Sequence, residues 1–213
     1  MMKRTIAFSG THSSGKTTML NEVKRILDGA GHFVFTCHNV ARYCPFKLNK
    51  DASYATQEWI LDNQIRVDKD GRESDYDVIL SERTVLDNIA YAYWLLMNGK
   101  ITVDEYHGLR GKAKAYLQNN RYDMVFLLSP LPLVLDGVRD PDQGYQYQIH
   151  GIISEQLNST LLFPFRYVGN GSTDSRLDIV RSTLNSLYSW NLDKNSSNSI
   201  HSSETSGLPT SAP

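Results

Sequence analysis

Short apolar runs alternate with longer amphipathic segments along most of the chain. The apolar runs, each of a length suited to a buried strand, lie at residues 6–8, 32–36, 77–80, 123–128 and 165–168. The segments whose apolar residues recur at helical spacing are residues 16–30, 52–68, 84–98, 102–119, 145–162 and 175–189. Continuous apolar strands that alternate with helices predict a parallel sheet with helices on both faces. We therefore expect an α/β fold with a five-stranded parallel sheet.

Three of the predicted helices begin with a capping signal. A Ser or Thr followed three residues later by an acidic residue can satisfy the free N–H groups of a first helical turn. This spacing occurs at Thr84 and Asp87, at Thr102 and Glu105, and at Ser175 and Asp178. We interpret Asp87 most simply as a residue that caps its helix.

A complete phosphate-binding P-loop, G-x-x-x-x-G-K-[ST], joins the first strand to the first helix. Backbone N–H groups in such a turn, with the positive end of the following helix, wrap a polyphosphate. Lys16 can reach the β- and γ-phosphates, and the Thr17 hydroxyl can ligate Mg²⁺. The sequence thus predicts binding of ATP and Mg²⁺ by Gly10, Thr11, His12, Ser13, Ser14, Gly15, Lys16, Thr17 and Thr18.

Polar residues follow the third strand, at the same edge of the sheet as the P-loop. Ligands of parallel sheets bind at this edge, at the carboxyl ends of the strands. Glu82 occupies the position of an acid that can hold Mg²⁺ or orient a substrate hydroxyl. The alternative is a carboxylate that merely pairs with a neighbouring arginine. Arg83 has a forked guanidinium suited to a phosphate or sugar oxygen, and a surface ion pair with Asp87 is its alternative.

Candidate substrate contacts follow the second strand. Arg42 lies in a stretch without Asp or Glu, where a cation can clamp a substrate phosphate or remain a solvated loop residue. Gln57 and Gln64 lie two helical turns apart on one face, and either amide can read the edge of a base bidentately, although glutamines on helices are usually solvated.

Arg139 is the only Lys or Arg between Tyr122 and Phe165. It lies in a glycine-containing loop with acidic neighbours, and an arginine that closes over the transferring phosphoryl group stabilises its charge and excludes water. We predict that Arg139 belongs to a lid and is catalytic together with Lys16, Glu82 and Arg83. The alternative is an ion pair with Asp140 or Asp142.

Composition narrows the functional classes. With 213 residues, 40% of them hydrophobic, the chain can bury one substantial core, and its net charge of −1 argues against a surface that neutralises many DNA phosphates. Two cysteines without metal or redox spacing, Cys37 and Cys44, indicate reduced thiols. We expect a cytoplasmic protein without a signal peptide or membrane span, organised as a kinase domain at residues 1–190 and a disordered Ser/Asn/Thr-rich tail at residues 191–213.

Together these residues resemble the thymidylate-kinase-like and deoxynucleoside-kinase-like branch of P-loop kinases, and they look closest to the small AAA-type ATPase/kinase group of phages and bacteria. The resemblance covers about residues 3–188, with GTHSSGKTT at 10–18, SERTVLDNIAYA at 81–92 and LDGVRD at 135–140 as its specific parts. It implies a nucleoside monophosphate kinase core, a substrate-binding helical segment near residues 52–68 and a lid near residues 131–147.

Two departures from the family pattern bear on the substrate. Thymidylate kinases commonly supply further arginines from the P-loop or lid, and deoxynucleoside kinases carry a glutamate base after the second strand. This chain has one lid arginine, and Cys37-His38-Asn39 follows the second strand. A monophosphate is already anionic and needs cations rather than a base, which favours transfer from ATP to a (deoxy)nucleoside monophosphate, for example a pyrimidine nucleotide such as dTMP.

Several alternatives stay open at this point. They are a deoxynucleoside kinase with Glu82 as the base, a kinase that phosphorylates a hydroxyl on nucleic acid or a modified base in DNA, and an NTP-binding protein that is not a kinase. The expected partner is a small-molecule nucleotide or nucleoside. A nucleic-acid partner is disfavoured by the balanced charge, and a homodimer is allowed.

Overall fold

The described part of the chain contains five strands and six α-helices, with helices between successive strands. The computed structural model describes residues 3–133, 142–160 and 162–192. The strands are β1 (Arg4–Ser9), β2 (Val34–Cys37), β3 (Val78–Glu82), β4 (Met124–Leu128) and β5 (Phe165–Val168). The helices are α1 (Lys16–Gly29), α2 (Tyr54–Glu73), α3 (Val85–Met97), α4 (Val103–Asn119), α5 (Gln143–Ser159) and α6 (Thr173–Tyr188).

All five strands pair in parallel, in the order β2-β3-β1-β4-β5. The first strand is therefore central, with β3 and then β2 on one side of it and β4 and then β5 on the other. A reversal of strand order at this point opens a crevice at the carboxyl ends of the strands. The loop after β1 consequently emerges into the middle of that crevice.

Alternating side chains of the sheet build two separate cores. Ile6 and Phe8 face a cluster formed with α1 and α6, whereas Ala7 between them faces the cluster that holds α2, α3, α4 and α5. All three residues are fully buried. Strands buried on both faces read as continuous apolar runs, and the predicted α/β fold with helices on both faces is confirmed.

The helices after Thr84 and Thr102 begin with the predicted capping boxes, whereas the last helix begins at a different residue from the one predicted. The Thr84 and Thr102 side chains accept hydrogen bonds from the N–H groups of Asp87 and Glu105, whose carboxylates bond back. The last helix begins three residues earlier than predicted because Ser172, and not Ser175, accepts from the first turn. The two serines are three residues apart, which is the spacing of a cap and its donor.

Other boundaries also differ from the sequence prediction. Strand β3 runs on through Glu82 because Phe8 of β1 pairs with it in the ladder. Helix α2 continues five residues past the predicted end at residue 68, since its last turns still pack on the sheet through Gly71. Two short 3₁₀ helices, Val40–Tyr43 and Asn49–Asp51, shape the connection between β2 and α2.

The end of the described chain packs back on the domain. Leu192 is buried in the core of α1 and α6, and its N–H donates to Asn185 Oδ1. The predicted tail boundary after residue 190 stays a prediction, and residues 193–213 lie outside the described residues. None of the helices described combines the length and apolar character that a membrane span requires.

Candidate active site

The P-loop closes around its own lysine between β1 and α1. The Lys16 ammonium donates to the carbonyl oxygen of Thr11 at 2.6 Å and to Ser14 Oγ at 3.0 Å. Gly15 has a φ of 77°, and Gly10 has a φ of 140°. A Cβ on Gly10 would lie 2.8 Å from the carbonyl oxygen of Leu128, so glycine is required there for space as well as for conformation.

A cavity of about 530 Å³ opens beside the P-loop at the carboxyl ends of the strands. A site of this size holds a small ligand. Its wall includes His12, Ser13, Ser14, Gly15, Lys16, Thr17 and Thr18 of the P-loop. The predicted residues Arg42, Gln57, Gln64, Glu82 and Arg83 line the same cavity. Residues that lie far apart in the sequence, on α1, α2 and β3, are thus brought to one place, as predicted from the strand ends.

Thr17 and Glu82 form a pair across the mouth of the P-loop. The Thr17 hydroxyl donates to Glu82 Oε1 at 2.9 Å, and Glu82 is 3% exposed. A hydroxyl and a carboxylate next to a phosphate-binding turn are oxygen ligands of the kind that Mg²⁺ takes, with phosphate and water completing its shell. The donor set therefore fits a magnesium ion bound together with a nucleoside triphosphate.

Arg83 follows β3 in a conformation that side chains rarely adopt. Its φ is 82°, its N–H donates to the carbonyl oxygen of Phe8, and its Nη1 donates to that of Gly10 at 3.2 Å. The guanidinium lies over the ring of Tyr91, 5.2 Å from the centroid. Burial lowers the pKa of Arg83, but Tyr91 and two nearby carboxylates outweigh it and leave the pKa raised. The cation is held against the P-loop at the cavity wall.

Asp87 does more than cap its helix. Its Oδ1 accepts from the N–H of Gly10 at 2.9 Å, and its Oδ2 accepts from Ser9 Oγ at 2.9 Å and from the N–H and hydroxyl of Thr84. Arg83 Nη1 lies 3.7 Å from Oδ1, in a buried contact rather than on the surface. The capping spacing revealed the Asp87–Thr84 bonds, but no local pattern revealed its contact with the P-loop.

The other predicted substrate contacts differ in their surroundings. Arg42 is exposed at the edge of the cavity, in the first 3₁₀ helix. Gln57 and Gln64 are both buried rather than solvated. Gln57 accepts from Asn88 through its side-chain oxygen, and Gln64 donates from its amide nitrogen to Asp68 and Ser81. Each glutamine therefore has one half of its amide engaged inside the protein.

Arg139 and most of its loop, residues 134–141, lie outside the described residues, so the lid stays a prediction.

A second arginine, which the sequence did not single out, lies beside the P-loop. Arg176 of α6 is 3% exposed, donates to the carbonyl oxygen of Ser129 and lies 3.2 Å from where a Cβ of Gly15 would be. Burial lowers the pKa of Arg176. It holds the loop after β4 next to the start of α1.

A buried polar cluster supports the cavity from behind. Asp68 is fully buried, and its carboxylate accepts from Gln64, from Ser81 Oγ at 2.8 Å and from the Tyr122 hydroxyl at 2.7 Å. Burial raises the pKa of Asp68 despite these three donors. Burial and this carboxylate also raise the pKa of the Cys37 thiol, which is buried in the core.

Comparison with known proteins gives a family and a fold. A family model described as an AAA domain matches residues 5–176. No curated protein matches the chain in sequence. The structure resembles the NadR protein in complex with NAD and AMP-PNP (TM-score 0.66, 12% identity) and the NadR protein in complex with NR (0.66, 11%). It also resembles deoxyadenosine kinase from M. mycoides with bound dCTP (0.64, 18%).

The extent of these matches differs between the neighbours. The match to deoxyadenosine kinase covers 85% of this chain and 99% of that chain. The matches to NadR cover 86% and 87% of this chain but 49% and 50% of those chains, so the chain spans about half the length of NadR. At these identities the likeness concerns the fold alone.

Proposed function

The chain belongs to the AAA domain family, and from that premise we propose that it transfers the γ-phosphoryl group of ATP to a small nucleoside-type substrate. The observation that carries the proposal is the Thr17–Glu82 pair, which joins the P-loop to the wall of a cavity large enough for a second molecule. The fold shared with deoxyadenosine kinase and NadR supports the same chemistry.

The charges that line the cavity favour an anionic phosphoryl acceptor. Among the described residues, the wall contains the cations Lys16, Arg42 and Arg83 and one carboxylate, Glu82. Lys16 serves the phosphates of ATP, which leaves two arginines for the second substrate. A phosphate group suits the planar fork of a guanidinium better than a neutral sugar does. We therefore propose a (deoxy)nucleoside monophosphate as the phosphoryl acceptor.

Catalysis would rest on position and charge. The bond from the γ-phosphorus to the bridging oxygen of ATP breaks, a bond to an oxygen of the acceptor monophosphate forms, and ADP leaves with the electron pair. Lys16 exchanges its contacts with Thr11 and Ser14 for phosphate oxygens. Thr17 and Glu82 would hold Mg²⁺, which when bound neutralises negative charge on the phosphates. Arg139 is proposed to close over the transferring group.

A nucleoside is the second candidate, and Glu82 is the observation that favours it. A neutral hydroxyl needs a base, and this carboxylate lies in the cavity wall with its Oε1 held by Thr17. Glu82 is then the base that the sequence does not provide after β2. The name of one solved neighbour, a deoxyadenosine kinase, agrees with this candidate as well.

The test is an assay of ADP release with matched pairs of nucleosides and their monophosphates, including thymidine and dTMP. We expect turnover with monophosphates to exceed turnover with nucleosides. The Lys16→Ala variant is expected to lose activity while keeping its melting temperature. Faster turnover with nucleosides would replace the first candidate with the second. ATP hydrolysis that no substrate of either class accelerates would refute the proposed kinase.

A further inference from the structure

Gln146 of α5 donates two hydrogen bonds from one amide nitrogen. Its Nε2 bonds the main-chain oxygen of His12 in the P-loop at 3.0 Å and that of Leu131, in the loop after β4, at 3.1 Å. Main-chain oxygens can only accept, so both hydrogens of the amide are used and its orientation is fixed. Gln146 is fully buried. Helix α5 is thus bonded to the P-loop through a side chain that solvent does not reach.

The loop after β4 bonds the next peptide group of the P-loop. The N–H of Leu131 donates to the main-chain oxygen of Ser13 at 2.8 Å. Leu131 lies between Pro130 and Pro132, which have no N–H of their own, so it carries the only main-chain donor of these three residues. Gln146 in turn bonds the carbonyl group of Leu131. Gln146 and Leu131 therefore hold each other as well as two successive carbonyl groups of the P-loop.

These bonds set the direction of two main-chain N–H groups. In a planar trans peptide, the C=O of one residue and the N–H of the next point in opposite directions. Because the oxygens of His12 and Ser13 are bonded to Gln146 and Leu131, the N–H groups of Ser13 and Ser14 point away from those partners. No hydrogen bond among the described residues uses either N–H, and both serines line the cavity.

Ser13 needs such support because its backbone is strained. Its φ is 52°, in the left-handed region that residues with a side chain rarely adopt. A strained residue keeps its conformation when the surrounding structure determines it. Here one hydrogen bond holds the peptide group before Ser13, and another holds the peptide group after it.

We infer that Gln146 is a positioning residue for the binding of the nucleotide's phosphates. This inference rests on the proposed function and deepens it, because it assigns the shape of the P-loop to a side chain of α5. Without the bonds of Gln146, the peptide group between His12 and Ser13 is free to rotate, and the phosphates have to order it on binding. Preorganisation raises affinity by removing that cost. The effect concerns the phosphates and is independent of the base and the sugar.

Titration calorimetry with inorganic tripolyphosphate and with ATP, each in the presence of Mg²⁺, tests this inference. Gln146→Met has nearly the same length but no donor, and we expect it to weaken the binding of both ligands by the same factor of at least about ten. Gln146→Asn retains an amide that is one methylene shorter and reaches one of the two carbonyls at most, so its loss should be smaller. In kinetic assays, KM for ATP should rise while KM for the phosphoryl acceptor stays unchanged.

Gln148→Met is the matched control. Gln148 lies on the same helix, and its Oε1 accepts a hydrogen bond from Trp94 Nε1 at 2.8 Å, which joins α5 to α3 and not to the P-loop. This variant also exchanges an amide for a thioether and loses a bond between helices. Its affinity for both ligands should equal that of the unmodified protein. Melting curves establish that each variant is folded at the temperature of the titration.

The outcomes separate the two proposals. Unchanged affinity of Gln146→Met for tripolyphosphate would overturn this inference and leave the kinase assignment intact. An equal loss in Gln148→Met, or a loss for ATP that tripolyphosphate does not share, would also overturn it. If Gln146→Met does not fold, Gln146→Asn carries the comparison, and unchanged affinity in that variant would overturn the inference. If the unmodified protein binds ATP but phosphorylates no nucleoside or monophosphate, the proposed function fails, and the tripolyphosphate titrations still decide the role of Gln146.

Discussion

The buried carboxylate of Asp87 accepts a hydrogen bond from the main-chain N–H of Gly10 at 2.9 Å. Asp87 is the third residue of α3, and Gly10 is the first residue of the P-loop. The same carboxylate caps α3 through Thr84 and accepts from Ser9 at the end of β1. One side chain therefore ties the start of the nucleotide-binding turn to the helix that follows β3.

Removing this carboxylate should damage both stability and nucleotide binding. In Asp87→Ala, the N–H of Gly10 and the guanidinium of Arg83 lose a buried partner, which costs about 3–5 kcal/mol of unfolding free energy. We also expect weaker ATP binding, because the turn loses an anchor. Urea denaturation and calorimetric titration with ATP and Mg²⁺ measure the two effects.

The capping box of α4 supplies the control for that experiment. Glu105 bonds back to Thr102 as Asp87 does to Thr84, but it lies on the surface, away from the P-loop. Glu105→Ala should cost about 1 kcal/mol and leave ATP affinity unchanged. Equal effects of the two variants on ATP affinity would show that Asp87 acts only as a cap.

The Thr17–Glu82 pair predicts the magnesium dependence of turnover. Thr17→Val and Glu82→Gln should each raise the Mg²⁺ concentration for half-maximal rate by at least about tenfold, because each removes an oxygen donor. The double variant should be less impaired than the product of the single effects, since the two groups share one task. Glu58→Gln, which changes a carboxylate of α2 bonded to Tyr54, is the control. Unchanged Mg²⁺ dependence in both single variants would remove the pair from the metal site.

Local patterns account for the part of the site that was predicted. The P-loop and the boxes at Thr84 and Thr102 depend on spacing over a few residues, so they are visible in the sequence. The contact of Asp87 with Gly10 joins residues 77 positions apart. The orientation of Gln64 depends on Asp68 and Ser81, which only the packing of α2 against β3 brings together. Such long-range hydrogen bonds leave no periodic signal.

Two glycines on helices should respond to alanine with opposite sign. A Cβ on Gly71 would lie 2.8 Å from Phe35 Cδ1 and 3.1 Å from Ile79 Cγ2, so overpacking of α2 on the sheet should cost about 1–3 kcal/mol. Apart from its chain neighbours and the backbone of its own helix, no described atom lies within 4 Å of the Cβ position of Gly111 in α4. Gly111→Ala should instead gain about 0.5–1 kcal/mol from helix propensity. Melting curves of both variants test the close packing of α2, and a stabilised Gly71→Ala would contradict it.

The raised pKa of Asp68 predicts how stability changes with pH. Burial raises the pKa above the unfolded-state value of about 3.9, so the folded protein binds this proton more tightly than the unfolded chain does. Its contribution to stability is fully present below the unfolded pKa and is lost as the pH rises through the folded pKa. The Asp68→Asn variant has no such pH-dependent contribution to its unfolding free energy, because an amide does not titrate.

The unfolding free energy of Asp68→Asn minus that of the unmodified protein should therefore rise with pH across this window and then level off. One proton limits the slope to about 1.4 kcal/mol per pH unit. The neighbouring Cys37 and Tyr122 stay protonated there, because their own pKa values are also raised. Urea denaturation between pH 4 and pH 8 measures the difference. Asp62→Asn is the control for the substitution itself, since this carboxylate of the same helix is half exposed and pairs with Lys112. A flat difference for Asp68→Asn would mean that Asp68 ionises as easily in the folded protein as in the unfolded chain.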